Sequence, residues 1–395
     1  MKIISRSTID KFTYTLGERN EVDQMMSFTL LIQRLLGQQM LDPCWTCLRF
    51  WLHHVFGLAL IIYVLFGTIH FLKNTTNDKL IAEACYTFVV TFSFPLKYIL
   101  FVFNKRVFRE LYLEVKTTLY EVIKKNSVDG GKSVLEKVKK RVYLLYGLTM
   151  CPVTSYVATA IWCYLNGKRI TVSKTTSILM PMKTPYHEIG LILHSIFMFS
   201  ISSVVIVIDM WFVLLMYFFC LSIDGTKNML NISARTSGES QLEYALRLNA
   251  GLRNFYNTHV KQVEYLHKMN IMFKWLGLLP LIYLAINGCI IFLLLRKGVD
   301  WTFASNMLPV FAELFAYNWF GEQIKVKMQE LNLALLNFDW TNMELKDKKC
   351  YFIIVSYMNK AFSLKTAIGT DLSLITMTEV LKVSYQTCTV LQTMD

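Results

Sequence analysis

Apolar residues run along this chain in long blocks, not in the alternation of half-buried strands. Six blocks, over 50–71, 80–103, 142–165, 191–221, 270–295 and 302–324, carry few charges. A run of about 18 or more such residues is long enough to cross a bilayer as a helix. A seventh segment, 371–392, has the length, but 11 of its 22 residues are polar. A helix of that kind belongs among other helices or against water, because lipid offers its polar groups no partner. The apolar run Cys350–Met358 is too short to cross and reads as the core of a helix beside the membrane. Two blocks continue as amphipathic helix. Before the fifth, Ala245, Leu248, Leu252, Phe255, His259, Val263 and Leu266 recur at three and four residues. After the sixth, Ile324, Met328, Leu331, Leu335 and Phe338 form a short heptad seam. The fourth block, 31 residues long, reaches about 46 Å at about 1.5 Å per residue, against about 30 Å of hydrocarbon. It therefore overshoots the bilayer, which places Asp209 near the inner surface. The extended ends of the fourth, fifth and sixth helices, with a helix over 344–361, predict a helical bundle outside the membrane.

Charge orients the blocks. Residues 1–27 carry Lys2, Arg6, Lys11 and Arg19 with no apolar stretch of signal-peptide type. With the amino terminus in the cytosol, 30 of the 41 Lys and Arg residues fall on inner segments and 8 in outer loops. That bias predicts a cytosolic amino terminus and an extracellular carboxyl terminus. It also accounts for the net charge of +13 without nucleic acid. With 54% hydrophobic and 17% charged residues, against about 25% charged in soluble domains, the chain is not an ordinary soluble enzyme. The expected fold is therefore an all-α membrane protein of seven transmembrane helices with a cytosolic helical anchor bundle. The sequon Asn74-Thr75-Thr76 falls in the first outer loop, where Asn74 can be glycosylated, whereas Asn231-Ile232-Ser233 falls inside.

Motifs for chemistry are absent or incomplete. Cys44-Trp45-Thr46-Cys47 has CxxC spacing but no second pair to complete a metal site. His187-Glu188 opens a zinc-protease motif, yet Leu191 stands where its second His belongs. No phosphate-binding loop and no nucleophile elbow occur. The expectation is no catalysis, no metal and no cofactor. Seven spans also suit a G-protein-coupled receptor, but the orientation is reversed, and the Asp/Glu-Arg-Tyr and Asn-Pro motifs are missing.

The last part of the chain carries a resemblance. Phe315-Ala316-Tyr317-Asn318-Trp319-Phe320-Gly321-Glu322, then Asp339-Trp340, then Leu372-Ser373-Leu374 through Leu381-Lys382-Val383-Ser384-Tyr385 and Thr389-Val390-Leu391 follow one another in order. Near the start, Leu35-Leu36-Gly37 precedes Pro43. Together these resemble the insect odorant receptor family. Ser384-Tyr385 with Val390-Leu391 fits that family better than the sister family of gustatory receptors, which stands as the alternative. The resemblance implies an odorant-gated, non-selective cation channel, built as a heterotetramer with a shared co-receptor subunit, in the plasma membrane of olfactory sensory neurons. The expected divisions are a cytosolic segment with an amphipathic helix (1–49), six membrane helices with cytosolic extensions (50–324), anchor helices (325–370) and a pore-lining helix (371–395).

The resemblance further implies that a small volatile odorant binds in the outer half of the membrane, among the second, third, fourth and sixth helices. On the third, Ser155, Ala158 and Trp162 share one helical face. Tyr86, His194, Met198, Met307 and Phe311 are the expected contributions from its neighbours. Along the last helix, Glu379, Val383, Gln386, Val390 and Met394 are spaced to form one stripe. Glu379 and Gln386 suit a hydrated lumen. Val390 and Met394 suit an apolar ring that stops ions by dewetting, and the resemblance places its gate at Val390 as well.

Overall fold

The computed structural model describes residues 15–38, 40–42, 48–126, 132–172, 181–296, 307–360 and 362–393. Over these the chain is helical, and the only β pairing among the described residues is the isolated bridge between Lys365 and Asp371. In order, the helices are α1 (Glu21–Met25), α2 (Ser27–Leu35), α3 (Leu48–Asn74), α4 (Asp78–Phe103), α5 (Lys105–Glu114), α6 (Tyr120–Asn126), α7 (Lys132–Leu165), α8 (Tyr186–Asn228), α9 (Gln241–Arg296), α10 (Met307–Leu336), α11 (Leu345–Met358) and α12 (Leu374–Thr393). A π-turn, Val115–Leu119, joins α5 to α6. Five helices contain stretches long and apolar enough to cross a membrane: His54–Asn74, Ala84–Phe103, Glu136–Leu165, Tyr186–Asn228 and Gln241–Gly288.

Burial divides the bundle along its length. The apolar stretch of α8 is 83% buried, against 28% for α3 and 17% for α4. So α8 is the central post, while α3 and α4 turn most of their surface outward. Beyond the apolar stretches, α8, α9, α10 and α11 close into an anchor bundle. Its seam is the one visible in the sequence: Ile324, Leu331 and Leu335 are 0% exposed, with Met328 and Phe338 also buried. On α9, Leu248, Leu252, Phe255, His259 and Leu266 are buried, and Val263 lies half-buried beside them. Of the apolar run in α11, Tyr351, Ile354 and Met358 are buried while Phe352 and Ile353 face outward.

The amino-terminal segment is strapped onto this end. Asn20 caps α1 in a reciprocal box with Asp23, which satisfies donors that a helix start leaves open. Asp23, fully buried, pairs with Lys116 at 2.8 Å and accepts from Tyr112. Lys116 also donates to the carbonyls of Leu16 and Glu18 at 2.7 and 2.8 Å. After α2, Gly37 takes φ +75° and its N–H returns to the Arg34 carbonyl. That left-handed helix end favours glycine, a physical reason for the Leu35-Leu36-Gly37 motif.

Candidate functional site

Prolines interrupt three of the membrane helices, at Pro95 in α4, Pro152 in α7 and Pro280 in α9. Each lacks the N–H that would close a helical turn. Pro152, Pro280 and Phe94, the neighbour of Pro95, all line one cavity of about 570 Å³. Helices α4, α7, α8, α9 and α10 wall it, with Val64 of α3 at its side. Most of the wall is apolar or aromatic: Val90, Val153, Phe197, Met198, Ile201 and Val205 are typical. The Tyr86 and Tyr283 rings meet edge to face with centroids 6.4 Å apart. His194, 7% exposed, lies with its ring 5.7 Å from Tyr63.

The two ends of the cavity differ in chemistry. At one, the described stretches on either side, 166–172 after α7 and 181–185 before α8, are tied together: Arg169 donates to the Met182 carbonyl at 2.6 Å and to the Thr184 hydroxyl, and His187 Nε2 lies 3.0 Å from the Ile170 carbonyl. Arg169, Ile170, Thr171, Val172 and Met182 line the cavity there. At the other, Lys97 of α4 reaches Asp209 of α8 at 2.5 Å and Glu313 of α10 at 2.7 Å. Tyr317 adds a hydrogen bond to the same Asp209 oxygen at 3.2 Å and stacks on Phe212. Charges this deeply buried persist only when paired. This one cluster ties three helices together.

From the charged floor, α10 runs to the root of α12. Asn318, fully buried, accepts the N–H of Ser373 at 3.1 Å. Ser373 in turn caps α12, its hydroxyl accepting from the Thr376 N–H at 3.2 Å. One turn further, a Cβ on Gly321 would fall 2.0 Å from the Leu372 carbonyl oxygen, so only glycine lets the two backbones approach. Lys325 closes the contact with an ion pair to Asp371 at 2.8 Å. Much of the Phe315–Glu322 motif thus acquires a geometric purpose: Tyr317 serves the cavity floor, Asn318 and Gly321 the α12 root. Asp339 has one as well. It accepts from Asn342, Tyr244 and Thr341. The Asn342 bond, with those from Tyr244 and Thr341, holds its carboxyl below the usual range.

Of the expected pocket residues, Tyr86, His194 and Met198 line the cavity. Ser155, Ala158, Trp162 and Phe311 do not line it, and Trp162 is 68% exposed. The α7 wall is instead Thr149, Pro152, Val153, Tyr156 and Thr159, about a third of a turn around the helix. The cavity thus lies on a different face of α7 from the one that carries Ser155, Ala158 and Trp162, and the helix-interior Pro152 is on the cavity side. On α10 the lining is Pro309, Val310 and Glu313. The Met307 side chain lies outside the described residues, as do Met394 and the Cys44–Cys47 pair. Asp209 forms part of the cavity floor together with Lys97 and Glu313, and the sequence reading had not joined them. The available signal was three ionisable residues inside apolar helices, which membrane proteins keep at functional positions.

On α12, Ser384 is buried, with its Cβ 3.2 Å from where a side chain on Gly288 of α9 would begin. The Glu379, Val383, Gln386 and Val390 stripe is on the exposed side, Val383 at 55% and Val390 at 58%.

A family model described as 7tm Odorant receptor matches residues 77–385. The chain is similar in fold to the insect olfactory receptor OR5 from Machilis hrabei, with TM-score 0.67 at 12% identity, covering 97% of this chain and 94% of that one. The same receptor in complex with eugenol gives TM-score 0.69 at 13% identity, covering 95% of this chain and 100% of that one. No curated protein matches the chain in sequence.

Proposed function

The chain belongs to the 7tm odorant receptor family, and from that premise we propose that it is a subunit of an odorant-gated, non-selective cation channel. A small volatile binds in the cavity between α4, α7, α8, α9 and α10. Its binding shifts α10, and α10 carries the shift to the root of α12, which lines the pore with its exposed stripe. The observation that carries this reading is the continuity of α10. Within three turns it contributes Glu313 to the cavity floor and Asn318 and Gly321 to the base of α12. A packed element in two contacts can pass a small displacement from one to the other. The Machilis receptor solved with eugenol supports a small, largely apolar ligand. The cavity volume of about 570 Å³ falls in the usual range for such sites.

Seven helices cross the plasma membrane of an olfactory neuron, the amino terminus lies in the cytosol and the carboxyl terminus outside, an orientation the charge bias supports. The α12 stripes of four subunits, some of them co-receptor, surround the pore. Glu379 and Gln386 hydrate it, and Val390 forms the apolar constriction. Asn74, exposed at the end of α3, takes a glycan.

Recording from excised outside-out patches tests this directly. In cells expressing the chain with a co-receptor subunit, odorant should evoke cation current with no nucleotide in the pipette. A response that disappears without GTP would favour a G-protein-coupled receptor and contradict the channel.

A further inference from the structure

The charged floor carries a statement about the odorant's chemistry, and it rests on the cavity being the odorant site. Asp209 is 5% exposed and lines the cavity. Both hydrogen bonds it receives, from Lys97 and Tyr317, end on Oδ1. Glu313 accepts from Lys97 on Oε1. Among the described residues no donor reaches Asp209 Oδ2 or Glu313 Oε2. Lys97 has spent two of its three protons on the carboxylates, and the centre of the Tyr317 ring lies 6.0 Å from its Nζ. Acceptors thus outnumber donors at this end, and two acids face one base. Buried charge without a full set of partners is costly. A ligand that brings a proton donor relieves that cost; one that brings only carbon, or an ether oxygen, does not.

We infer that the preferred odorants of this receptor have an apolar body and a hydrogen-bond-donating head, a primary ammonium best and a hydroxyl next. The head sits against Asp209 Oδ2 and Glu313 Oε2, and the body lies among Val90, Val153, Met198 and Tyr283. A carboxylate head would bring a third negative charge to the floor and is excluded.

Four probes of nearly one shape test this on the full receptor with its co-receptor: phenethylamine, phenethyl alcohol, phenethyl methyl ether and propylbenzene. The two donors should evoke current at concentrations at least about tenfold below the ether and the hydrocarbon, as expected of a hydrogen bond to a charged acceptor. Glu313→Gln keeps the shape, removes the excess negative charge and leaves the Lys97–Asp209 pair intact. It should raise the half-maximal concentration of phenethylamine about tenfold while moving that of propylbenzene by less than about threefold. Equal potency across the four probes, or silence to both donors, overturns the inference. So does a Glu313→Gln receptor at normal surface density that keeps the donor preference. If that variant does not reach the surface, the four-probe comparison on the unaltered receptor decides alone. Should Tyr86→Ala shift every dose-response while Glu313→Gln leaves the donor preference untouched, the cavity reading stands and this inference falls. Should neither variant change anything, both fall.

Discussion

The anchor half and the cavity half of this molecule share three helices, α8, α9 and α10, packed to opposite specifications. In the anchor half, the α10 seam and its α9 counterpart are closed, and apolar side chains at regular spacing fill the interior. In the cavity half, α9 and α10 open around about 570 Å³ of space, prolines interrupt the helices, and two buried charges, Lys97 and Asp209, meet the half-buried Glu313. Close packing makes an interior that resists deformation. Open space and imperfect pairing make one that can exchange contents. The difference suggests a division of labour: one half holds position while the other changes, and α10 belongs to both.

The most severe way to break this division is to hollow the closed half. Leu331→Ala, at a fully buried seam position, should cost about 2–5 kcal/mol. Folded receptor at the surface should fall for every ligand alike, read by surface labelling and by thermal unfolding in detergent. Selective loss of one odorant's response would place Leu331 in recognition, against the account. A smaller effect is expected where α10 meets α12. Asn318→Ala strips the Ser373 N–H of its acceptor, a loss of about 1–3 kcal/mol for a buried donor. Maximal current should drop for all odorants with their order of potency kept; a reordered panel would move Asn318 into the pocket. The gentlest test sharpens the boundary of the cavity itself. Tyr86→Ala should shift dose-response curves by about tenfold, the size of one lost aromatic contact and its buried area. Trp162→Ala, on the outward face of α7, should leave the same curves in place. The opposite pattern would restore the face the sequence favoured.

Helix content and the anchor seams were legible in the sequence because periodic burial leaves a periodic signature. Ile324 through Phe338 needed only a ruler of threes and fours. The cavity was less legible for a physical reason. In a membrane helix both the lipid-facing and the inward faces are apolar, so composition does not distinguish Trp162 from Tyr156. The breaks in regularity were more informative: Pro152, and the charges at Lys97, Asp209 and Glu313. Their meaning, though, lay in which helices meet, and no single helix records that. Asp209 illustrates the point. Helix length alone placed it near a surface, while its partners, 112 and 104 positions away in sequence, bring it to the floor of the cavity. The stripe on α12 was recoverable from spacing because that helix is half polar, and polarity is the scarce commodity in such a chain.

The central claim is that recognition and conduction occupy separate parts of the chain, the first in the cavity and the second along α12. Val390→Ser tests it most directly, since Val390 stands 58% exposed on α12 and does not line the cavity. Recorded with its co-receptor across a panel of odorants, the variant should show a raised leak or altered permeability ratios and block, with the odorants in their original order of potency. Unchanged leak, permeability and block together with a reordered panel would contradict the account.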